Sequence, residues 1–415
     1  MQCSLVGTSR NVINTWLSRR SFINFLLCSP LVLPDKGLAR ELGRLGQEEI
    51  SQATDALNVF DFESVAKQKL NPAHYTYLSM GVEDELTLKA NREGFKKYRL
   101  RPRRLVDVRE LDTATDIFGA EFVNPIILAP VGSQRAYHPE GELAVARAAK
   151  RQNSLQILSM SSSTPIEDIV EANGSPPWYQ LYGQRSWPVN KYLLRRAENA
   201  NCRAVVLTVD IVGLPSNRER IDRFHRERNP ECQPCHNSVG DRLLEAAKSF
   251  SETVGLDAKA IIAESMMLDW AIVDQIRDTT SMKLVIKGIL APEDAQLCVE
   301  HGVDAIIVSN HGGRAEDNGT ATIEVLPEIV RAVDGRIPVL IDSGFRRGSD
   351  IYKALALGAT AVCIGRPYIW GLASFGQEGV EAVLSMLTEE LHTIMRQMGT
   401  PDLNQLKSSS VQKVS

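Results

Sequence analysis

The sequence lacks the features that mark several large classes of protein. The 47 basic and 51 acidic residues leave a formal net charge of −4, so neither sign reaches the excess typical of a nucleic-acid binder. Seven cysteines in 415 residues are too few for a disulfide scaffold. No apolar run is long enough for a membrane-spanning helix, and no internal repeat is present. The 43% hydrophobic and 24% charged residues are typical of a globular protein with a large core.

The N-terminal segment has the pattern of a targeting signal. Residues 18–33 read SRRSFINFLLCSPLVL, in which Arg19 and Arg20 precede a short, mostly apolar run. A basic segment before such a run is typical of an export signal, and paired arginines indicate the twin-arginine route. We therefore expect residues 1–39 to direct export to the periplasm, with GLA at 37–39 as a poor cleavage site. A buried or amphipathic N-terminal helix in a cytoplasmic protein is the alternative.

The remaining sequence predicts one large domain. Residues 40–56 are polar and mixed, which favours a linker, and residues 401–415 are interpreted as a tail. From 57 to 400, short apolar runs alternate with longer helical patterns. The candidate strands are mostly apolar throughout, as expected for strands buried on both faces. They are Ile126–Pro130, Leu155–Ser159, Trp178–Tyr182, Ala204–Asp210, Lys283–Gly288, Ala305–Asn310, Val339–Gly344 and Ala361–Arg366.

Eight strand-then-helix units in one series predict an α/β fold of the (β/α)₈ TIM-barrel type. A doubly wound sheet would need a glycine-rich dinucleotide loop after an early strand, and the sequence has none there. Residues 57–125 precede the first strand, and we expect them to form a helical cap. Residues 211–266 follow the fourth strand, where so long a connection indicates a lid or binding loop.

Polar residues follow the predicted strands at the end where TIM-barrel enzymes carry out catalysis. Together they would bring Tyr182, Asp210, Lys287, His311 and Arg314 to one mouth of the barrel. A capping or core role is the alternative for the histidine. Its place at a strand end, followed by two glycines and an arginine, favours a role in chemistry.

Glycine followed by arginine occurs after both of the last two predicted strands, within 342–348 and at 365–366. These are the strands after which TIM barrels commonly bind phosphate. Glycine lets backbone N–H groups approach the anion, and arginine offers it a planar pair of donors. Ordinary loop glycines beside solvated arginines are the alternative. The repetition at adjacent strands favours a phosphate site.

Several runs between residues 57 and 400 resemble a known family. They are VAKQKL at 65–70, YTYLSMG at 75–81, APVGSQRAYHPEGELAVARAA at 129–149, LTVD at 207–210, KGILAPEDA at 287–295, SNHGGR at 309–314, and RIPVLIDSGFRRGSDIYKALALGATAVCIGRP at 336–367. On these runs the sequence resembles the FMN-dependent α-hydroxy acid oxidase and dehydrogenase family, which includes glycolate oxidase, lactate oxidase and mandelate dehydrogenase. The resemblance implies oxidation of an (S)-2-hydroxy acid to the 2-oxo acid. The electron acceptor would be oxygen, a quinone or a cytochrome, and the protein a homotetramer.

The resemblance also implies roles for individual residues. The FMN contacts would be Pro130, Val131, Gly132, Ser159, Gln180, Thr208, Lys287, Ser309, Asp342, Ser343, Gly344, Phe345, Arg346, Gly365 and Arg366. The substrate contacts would be Tyr77, Tyr182, Arg218, His311 and Arg314. The catalytic residues would be His311 as base, with Asp210, Lys287 and Tyr182. The family's Gly-x-Arg-Glu run is shifted by one residue here, so Arg220 is the alternative to Arg218.

These roles agree with elementary chemistry. A 2-hydroxy acid is an anion, which suits the planar guanidinium of Arg314. His311 would accept a proton at neutral pH, since the ordinary pKa of histidine is about 6.5. Asp210 would stabilise the imidazolium that results. Lys287 would stabilise the negative charge that reduction leaves on the flavin.

Two positions depart from the glycolate and lactate oxidases. Gly132 stands where those enzymes usually carry alanine, and in this it resembles mandelate dehydrogenase and lactate monooxygenase. Ser161 replaces an aromatic residue of the small glycolate oxidase pocket. Both changes predict a wider pocket that admits bulkier substrates. The glycine, together with the export signal, favours the dehydrogenase form over the oxidase.

Residues 232–236 read CQPCH, the pattern of c-type haem attachment at Cys232, Cys235 and His236. A disulfide, half of a zinc site and a chance occurrence are the alternatives, and we expect no metal site. Two further functions remain open from sequence alone. One is a non-redox flavin- or phosphate-binding TIM-barrel enzyme such as an isomerase, and the other is a protein that binds flavin without turnover.

Overall fold

The computed structural model describes residues 50–183, 187–211 and 268–414. Several predictions fall outside the described residues: the export signal, most of the linker and of the lid, Arg218 with its alternative Arg220, and Cys232, Cys235 and His236. Among the described residues, no helix combines the length and apolarity needed to cross a membrane.

Strands and helices alternate along most of the described chain. The strands are β1 Tyr98–Leu100, β2 Thr115–Ile117, β3 Ala120–Phe122, β4 Ile126–Leu128, β5 Ile157–Ser159, β6 Trp178–Tyr182, β7 Ala204–Thr208, β8 Lys283–Ile289, β9 Ala305–Val308, β10 Val339–Ile341, β11 Ala361–Ile364 and β12 Val411–Lys413. The helices are α1 Val59–Lys69, α2 Pro72–Ser79, α3 Leu86–Glu93, α4 Gly141–Arg151, α5 Ile166–Asn173, α6 Trp187–Asn199, α7 Trp270–Thr279, α8 Pro292–Glu300, α9 Thr322–Val333, α10 Gly348–Ala356 and α11 Arg366–Met398, which is kinked near Gly376.

Strands β4 to β11 form one parallel sheet in the order β4-β11-β10-β9-β8-β7-β6-β5. Leu128 of β4 also forms a parallel bridge with Gln156, next to β5, so the two ends of this order meet. The predicted TIM barrel is therefore confirmed. All eight strands occur where the continuous apolar runs predict them, because each strand is buried between the barrel interior and the surrounding helices.

The predicted strands extend further than the ladders do. Pairing ends at Leu128, Val308 and Ile364, whereas the predictions continued to Pro130, Asn310 and Arg366. At these ends the backbone leaves the sheet and turns across the mouth of the barrel. The strand-like composition therefore continues into the residues that form the functional site.

The barrel interior is packed, and a hairpin covers the end opposite the site. Strands β2 and β3 pair antiparallel, and Ile117 at their turn joins the barrel core. The adjacent Phe118 ring stacks on Trp178 with a centroid distance of 5.2 Å. A packed interior of this kind leaves the carboxyl ends of the strands as the place for a ligand.

Helices α1 to α3 form the predicted cap, and the C-terminal segment is joined to it. Helix α1 packs on α11, where the Ser374 hydroxyl donates to the Phe62 carbonyl at 2.9 Å. Strand β12 pairs antiparallel with β1, so that Leu100 lies opposite Val411. The residues interpreted from sequence as a tail thus include a paired strand. Strands this short carry little sequence signal, because their stability comes from the partner strand.

Candidate active site

A cavity of about 360 Å³ lies at the carboxyl ends of the barrel strands, a volume within the usual range for ligand pockets. It is lined by most of the residues that the sequence singled out. These are Tyr77, Pro130, Val131, Gly132, Ser159, Tyr182, Lys287, His311, Arg314, Asp342, Ser343, Gly344, Phe345, Arg346, Gly365 and Arg366.

The other predicted residues within the described ranges support the lining from beneath. The Gln180 amide accepts a hydrogen bond from the Ser159 hydroxyl at 3.1 Å and donates to the Thr208 hydroxyl at 3.1 Å. The Ser309 hydroxyl accepts from the Lys287 ammonium at 2.7 Å. Each of these side chains is buried. They hold the residues that face the cavity in fixed positions.

His311 and Asp210 form a hydrogen-bonded pair, in which the Asp210 side chain is buried and the His311 side chain is 21% exposed. The His311 Nδ1 lies 2.8 Å from Asp210 Oδ1, and its Nε2 lies 3.4 Å from the Tyr182 hydroxyl. Burial lowers the pKa of His311, while the charge of Asp210 opposes that effect. Burial alone would raise the pKa of Asp210, but His311 and Lys287 hold it below its ordinary value. This arrangement suits a neutral imidazole that donates from Nδ1 to the carboxylate and presents Nε2 as a base.

Lys287 is a buried cation between two carboxylates. Its Nζ lies 3.2 Å from Asp342 Oδ2 and 3.7 Å from Asp210 Oδ2. Burial alone would lower the pKa of this lysine, but the two carboxylates raise it above its ordinary value. Lys287 is therefore charged at physiological pH. It places a fixed positive charge against the cavity wall.

Two further cations, Arg346 and Arg366, lie at the cavity, and the charge of Glu63 acts on both. Burial and the nearby Arg92 lower the pKa of Arg346 to about 10, and burial with Arg314 and Arg346 lowers that of Arg366 to about 9. Among the described residues, no carboxylate forms a salt bridge with either guanidinium. Buried charges are normally paired, so this part of the cavity suits an anionic group such as a phosphate.

The same arginine side of the cavity holds the cap in place. Arg366 donates through its three nitrogens to the carbonyls of Leu78, Met80 and Gly312 at 2.8–2.9 Å. The Arg314 Nη1 donates to the Tyr77 carbonyl at 2.7 Å, and its guanidinium carbon lies 4.6 Å from the centre of the Tyr77 ring. Positive side chains at the carboxyl end of α2 are favourable. They fix the helix that carries Tyr77.

Helix α2 brings two residues that sequence reasoning missed. The Asn71 side chain caps the helix by accepting from the Ala73 amide at 2.9 Å, and Pro72 occupies the first position. His74 and Leu78 therefore share one face with Tyr77, and all three line the cavity. The helical spacing of His74 and Leu78 from Tyr77, a predicted substrate contact, could have indicated from the sequence that they also line the cavity.

Tyr137 also lines the cavity and was not predicted. Burial raises its pKa, so the phenol stays neutral. It lies within the run at 129–149 that carries part of the family resemblance. It is on a turn, however, and no pattern of apolar residues in the sequence predicts which turn residues face the cavity.

Gly132 and Ser161 lie next to each other on the cavity wall. A Cβ built on Gly132 would lie 2.9 Å from the Ser161 Cβ, and the Ser133 amide donates to the Ser161 carbonyl at 2.9 Å. The two loops therefore pack closely, and both present small residues to the cavity. Within the described ranges, no group of three or more metal-ligating side chains is arranged to hold a metal ion.

A family model and curated relatives match most of the length of this chain. The family model described as FMN-dependent dehydrogenase matches residues 66–413. A peroxisomal (S)-2-hydroxyacid oxidase of Arabidopsis thaliana is 41% identical over 355 residues, which cover 86% of this chain and 96% of the relative. Glycolate oxidase of Spinacia oleracea is 39% identical over 354 residues, or 85% and 95% of the two chains.

Solved structures are similar over the same length. An active chimera of (S)-mandelate dehydrogenase has a TM-score of 0.77 at 35% identity, covering 86% of this chain and 99% of the other. A mandelate oxidase variant with (S)-mandelic acid has a TM-score of 0.75 at 37% identity, covering 86% and 98%.

Proposed function

Because this chain belongs to the FMN-dependent dehydrogenase family, we propose that its cavity oxidises an (S)-2-hydroxy acid to the 2-oxo acid with His311 as the base. The oxidoreductase class, FMN as cofactor and 2-hydroxy acids as substrates follow from the family and its relatives. The observation that carries the residue roles is the hydrogen-bonded His311–Asp210 pair beside Lys287 at the cavity wall. The isomerase alternative is set aside, since these relatives are oxidases and dehydrogenases.

The residues at the cavity fit FMN. Arg346 and Arg366 would hold the phosphate, because both are cations at the cavity and neither forms a salt bridge with a carboxylate among the described residues. Gly365 leaves open space there, since a Cβ at this position would meet nothing closer than Val131 at 4.0 Å. Lys287 would lie beside the ring system. When bound, FMN supplies the acceptor for the two electrons of the oxidation.

The substrate would be held by its carboxylate. Arg314 uses Nη1 for the carbonyls of Tyr77 and Met80, and no hydrogen bond among the described residues uses its Nη2 or Nε. These nitrogens suit a bidentate contact with a carboxylate. His311 Nε2 would then take a proton from the substrate. Asp210, 2.8 Å from Nδ1, would stabilise the imidazolium that forms.

The finer specificity is also a proposal. The small residues Gly132 and Ser161 support a substrate with a bulky side chain, such as mandelate, in preference to glycolate. The glycine also supports a quinone or cytochrome as acceptor in preference to oxygen. We further propose export by the twin-arginine route, for which fractionation of an Arg19→Lys, Arg20→Lys variant is the test. The proposed homotetramer is tested by light scattering.

An anaerobic absorption spectrum tests the proposed function. We expect a flavin band that is bleached by mandelate more readily than by glycolate or lactate. Rapid return of the band in air would indicate an oxidase, and slow return a dehydrogenase. A sharp haem band would indicate haem attached at Cys232 and Cys235. A flavin band that none of the three acids bleaches would contradict the proposal.

His311→Ala is the matched test of the base. This variant should keep FMN, because the predicted phosphate contacts are untouched, and should lose bleaching by substrate. Bleaching at the wild-type rate would contradict the role of His311.

A further inference from the structure

The turn that carries His311 has an unusual backbone. His311, Gly312 and Gly313 have φ angles of +56°, +68° and +76°, so three consecutive residues are left-handed. Glycine adopts this region without cost, but histidine does not. Such a conformation persists only where the surroundings impose it. The contacts that impose it therefore also position the imidazole.

Side chains accept hydrogen bonds from the amides of both glycines in the turn. The Gly312 amide donates to the Ser343 hydroxyl at 3.0 Å, and the Gly313 amide donates to the Asn310 side-chain oxygen at 3.1 Å. Asn310 is in turn paired with Asn91 of the cap through two reciprocal amide hydrogen bonds of 2.8 Å. One support therefore comes from the cap and the other from the loop after β10.

Ser343 has a second contact, which leads to the buried cation. Its hydroxyl donates to Asp342 Oδ1 at 2.7 Å, and Asp342 Oδ2 lies 3.2 Å from the Lys287 Nζ. A single hydroxyl thus joins the backbone next to His311 to the carboxylate that is paired with Lys287. Ser343 is only 8% exposed, so both contacts are largely shielded from solvent.

The backbone of Ser343 is itself left-handed, with φ at +81°. A glycine would adopt this conformation without strain. The chain carries serine there despite the strain, and both hydrogen-bonding capacities of its hydroxyl are used. The hydroxyl is what serine adds at this position.

We propose that Ser343 is a positioning residue that couples the His311 turn to the Lys287–Asp342 ion pair. This inference rests on the proposed function, since it takes His311 as the base and FMN as the neighbour of Lys287. By accepting from the Gly312 amide, Ser343 holds the imidazole in place. By donating to Asp342, it offsets part of the carboxylate's charge, so more of the positive charge of Lys287 acts on the flavin.

The test is the midpoint potential of FMN in Ser343→Gly and Ser343→Ala, measured by reductive titration without substrate. The glycine variant relieves the backbone strain and the alanine variant keeps it, but both lose the hydroxyl. We expect both potentials to become more negative. A tenfold loss in the equilibrium constant for two-electron reduction would be a shift of about 30 mV. We also expect substrate to bleach both variants about tenfold more slowly, the effect of one hydrogen bond to a charged group.

Thr322→Val is the matched control. The Thr322 hydroxyl donates to the backbone carbonyl of Asp342 at 2.6 Å. The valine variant therefore also removes a hydrogen bond to Asp342, but one that does not involve its carboxylate. The potential should stay at the wild-type value.

Three outcomes would overturn the inference. They are unchanged potentials in both Ser343 variants, a shift in the alanine variant alone, and loss of FMN from both, which would make Ser343 a cofactor contact only. Failure of the proposed function would look different. In that case no 2-hydroxy acid would bleach the wild-type protein, whereas the potentials would still be measurable.

Discussion

Replacing Asp210 by asparagine tests the proposed mechanism most directly. Asp210 Oδ1 lies 2.8 Å from the His311 Nδ1, and Oδ2 lies 3.7 Å from the Lys287 Nζ. The asparagine would keep the shape of the side chain but not its charge. Lys287 would still be paired with Asp342 at 3.2 Å, so the buried cation is not left alone and we expect the variant to fold and to bind FMN.

The magnitude follows from the lost contact. A hydrogen bond to a charged group contributes about 1.5–3 kcal/mol, which corresponds to a roughly 10- to 150-fold slower proton transfer. The sign of the pH effect follows from the same pair. His311 acts as a base only when neutral, so the rate is lost as the pH falls through its pKa. Asp210 raises that pKa. Its removal should therefore move the acidic limb of the profile to lower pH.

The assay is the anaerobic rate of flavin bleaching by substrate, measured by stopped flow from acid to neutral pH. Glu316→Gln is a suitable control. Burial together with the charge of Asp210 raises the pKa of Glu316, so this carboxylate is close enough to sense the pair without bonding to His311. We expect its rate to stay within about twofold of wild type, as for most substitutions away from a buried contact. A wild-type rate and pH limb in Asp210→Asn would refute the assignment of the pair.

Three further predictions concern the cavity and the core. In Gly132→Ala the new methyl would lie 2.9 Å from the Ser161 Cβ and narrow the cavity. In steady-state assays, kcat/KM for mandelate should therefore fall about tenfold, and kcat/KM for glycolate much less. Arg366→Lys cannot reproduce the three backbone contacts or a bidentate phosphate contact, so the Kd for FMN should rise at least about tenfold in a fluorescence titration. Trp178→Ala would leave a cavity beneath Phe118, and the free energy of unfolding in urea should fall by about 3–5 kcal/mol.

The barrel and the centre of the site were predictable because their signals are local. Most barrel strands are unbroken apolar runs; Lys287 comes directly after the apolar run 284–286 within β8, and His311 lies three residues after the end of β9. Parallel strands necessarily bring their carboxyl ends together. For this reason His311 and Asp210, which are far apart in the sequence, were expected at the same mouth of the barrel, and the family resemblance implied their pairing.

The parts that sequence reasoning missed depend on how the cap docks. Asn91 and Asn310 form a buried amide pair across 219 residues, and nothing near either residue marks it. His74 faces the cavity only because Arg314 and Arg366 hold the end of α2 over the barrel. Such contacts are properties of the assembled structure, and no spacing in the sequence specifies them.

The pairing of β1 with β12 has a consequence for the order of events during synthesis. The ribosome makes Leu100 of β1 early, and Val411, which lies opposite it, only after the whole barrel. Strand β1, which follows the cap helices, therefore cannot pair with β12 until the whole barrel has been synthesised. We expect the cofactor to enter a barrel that is still open above, and the cap carrying Tyr77 to close over it afterwards.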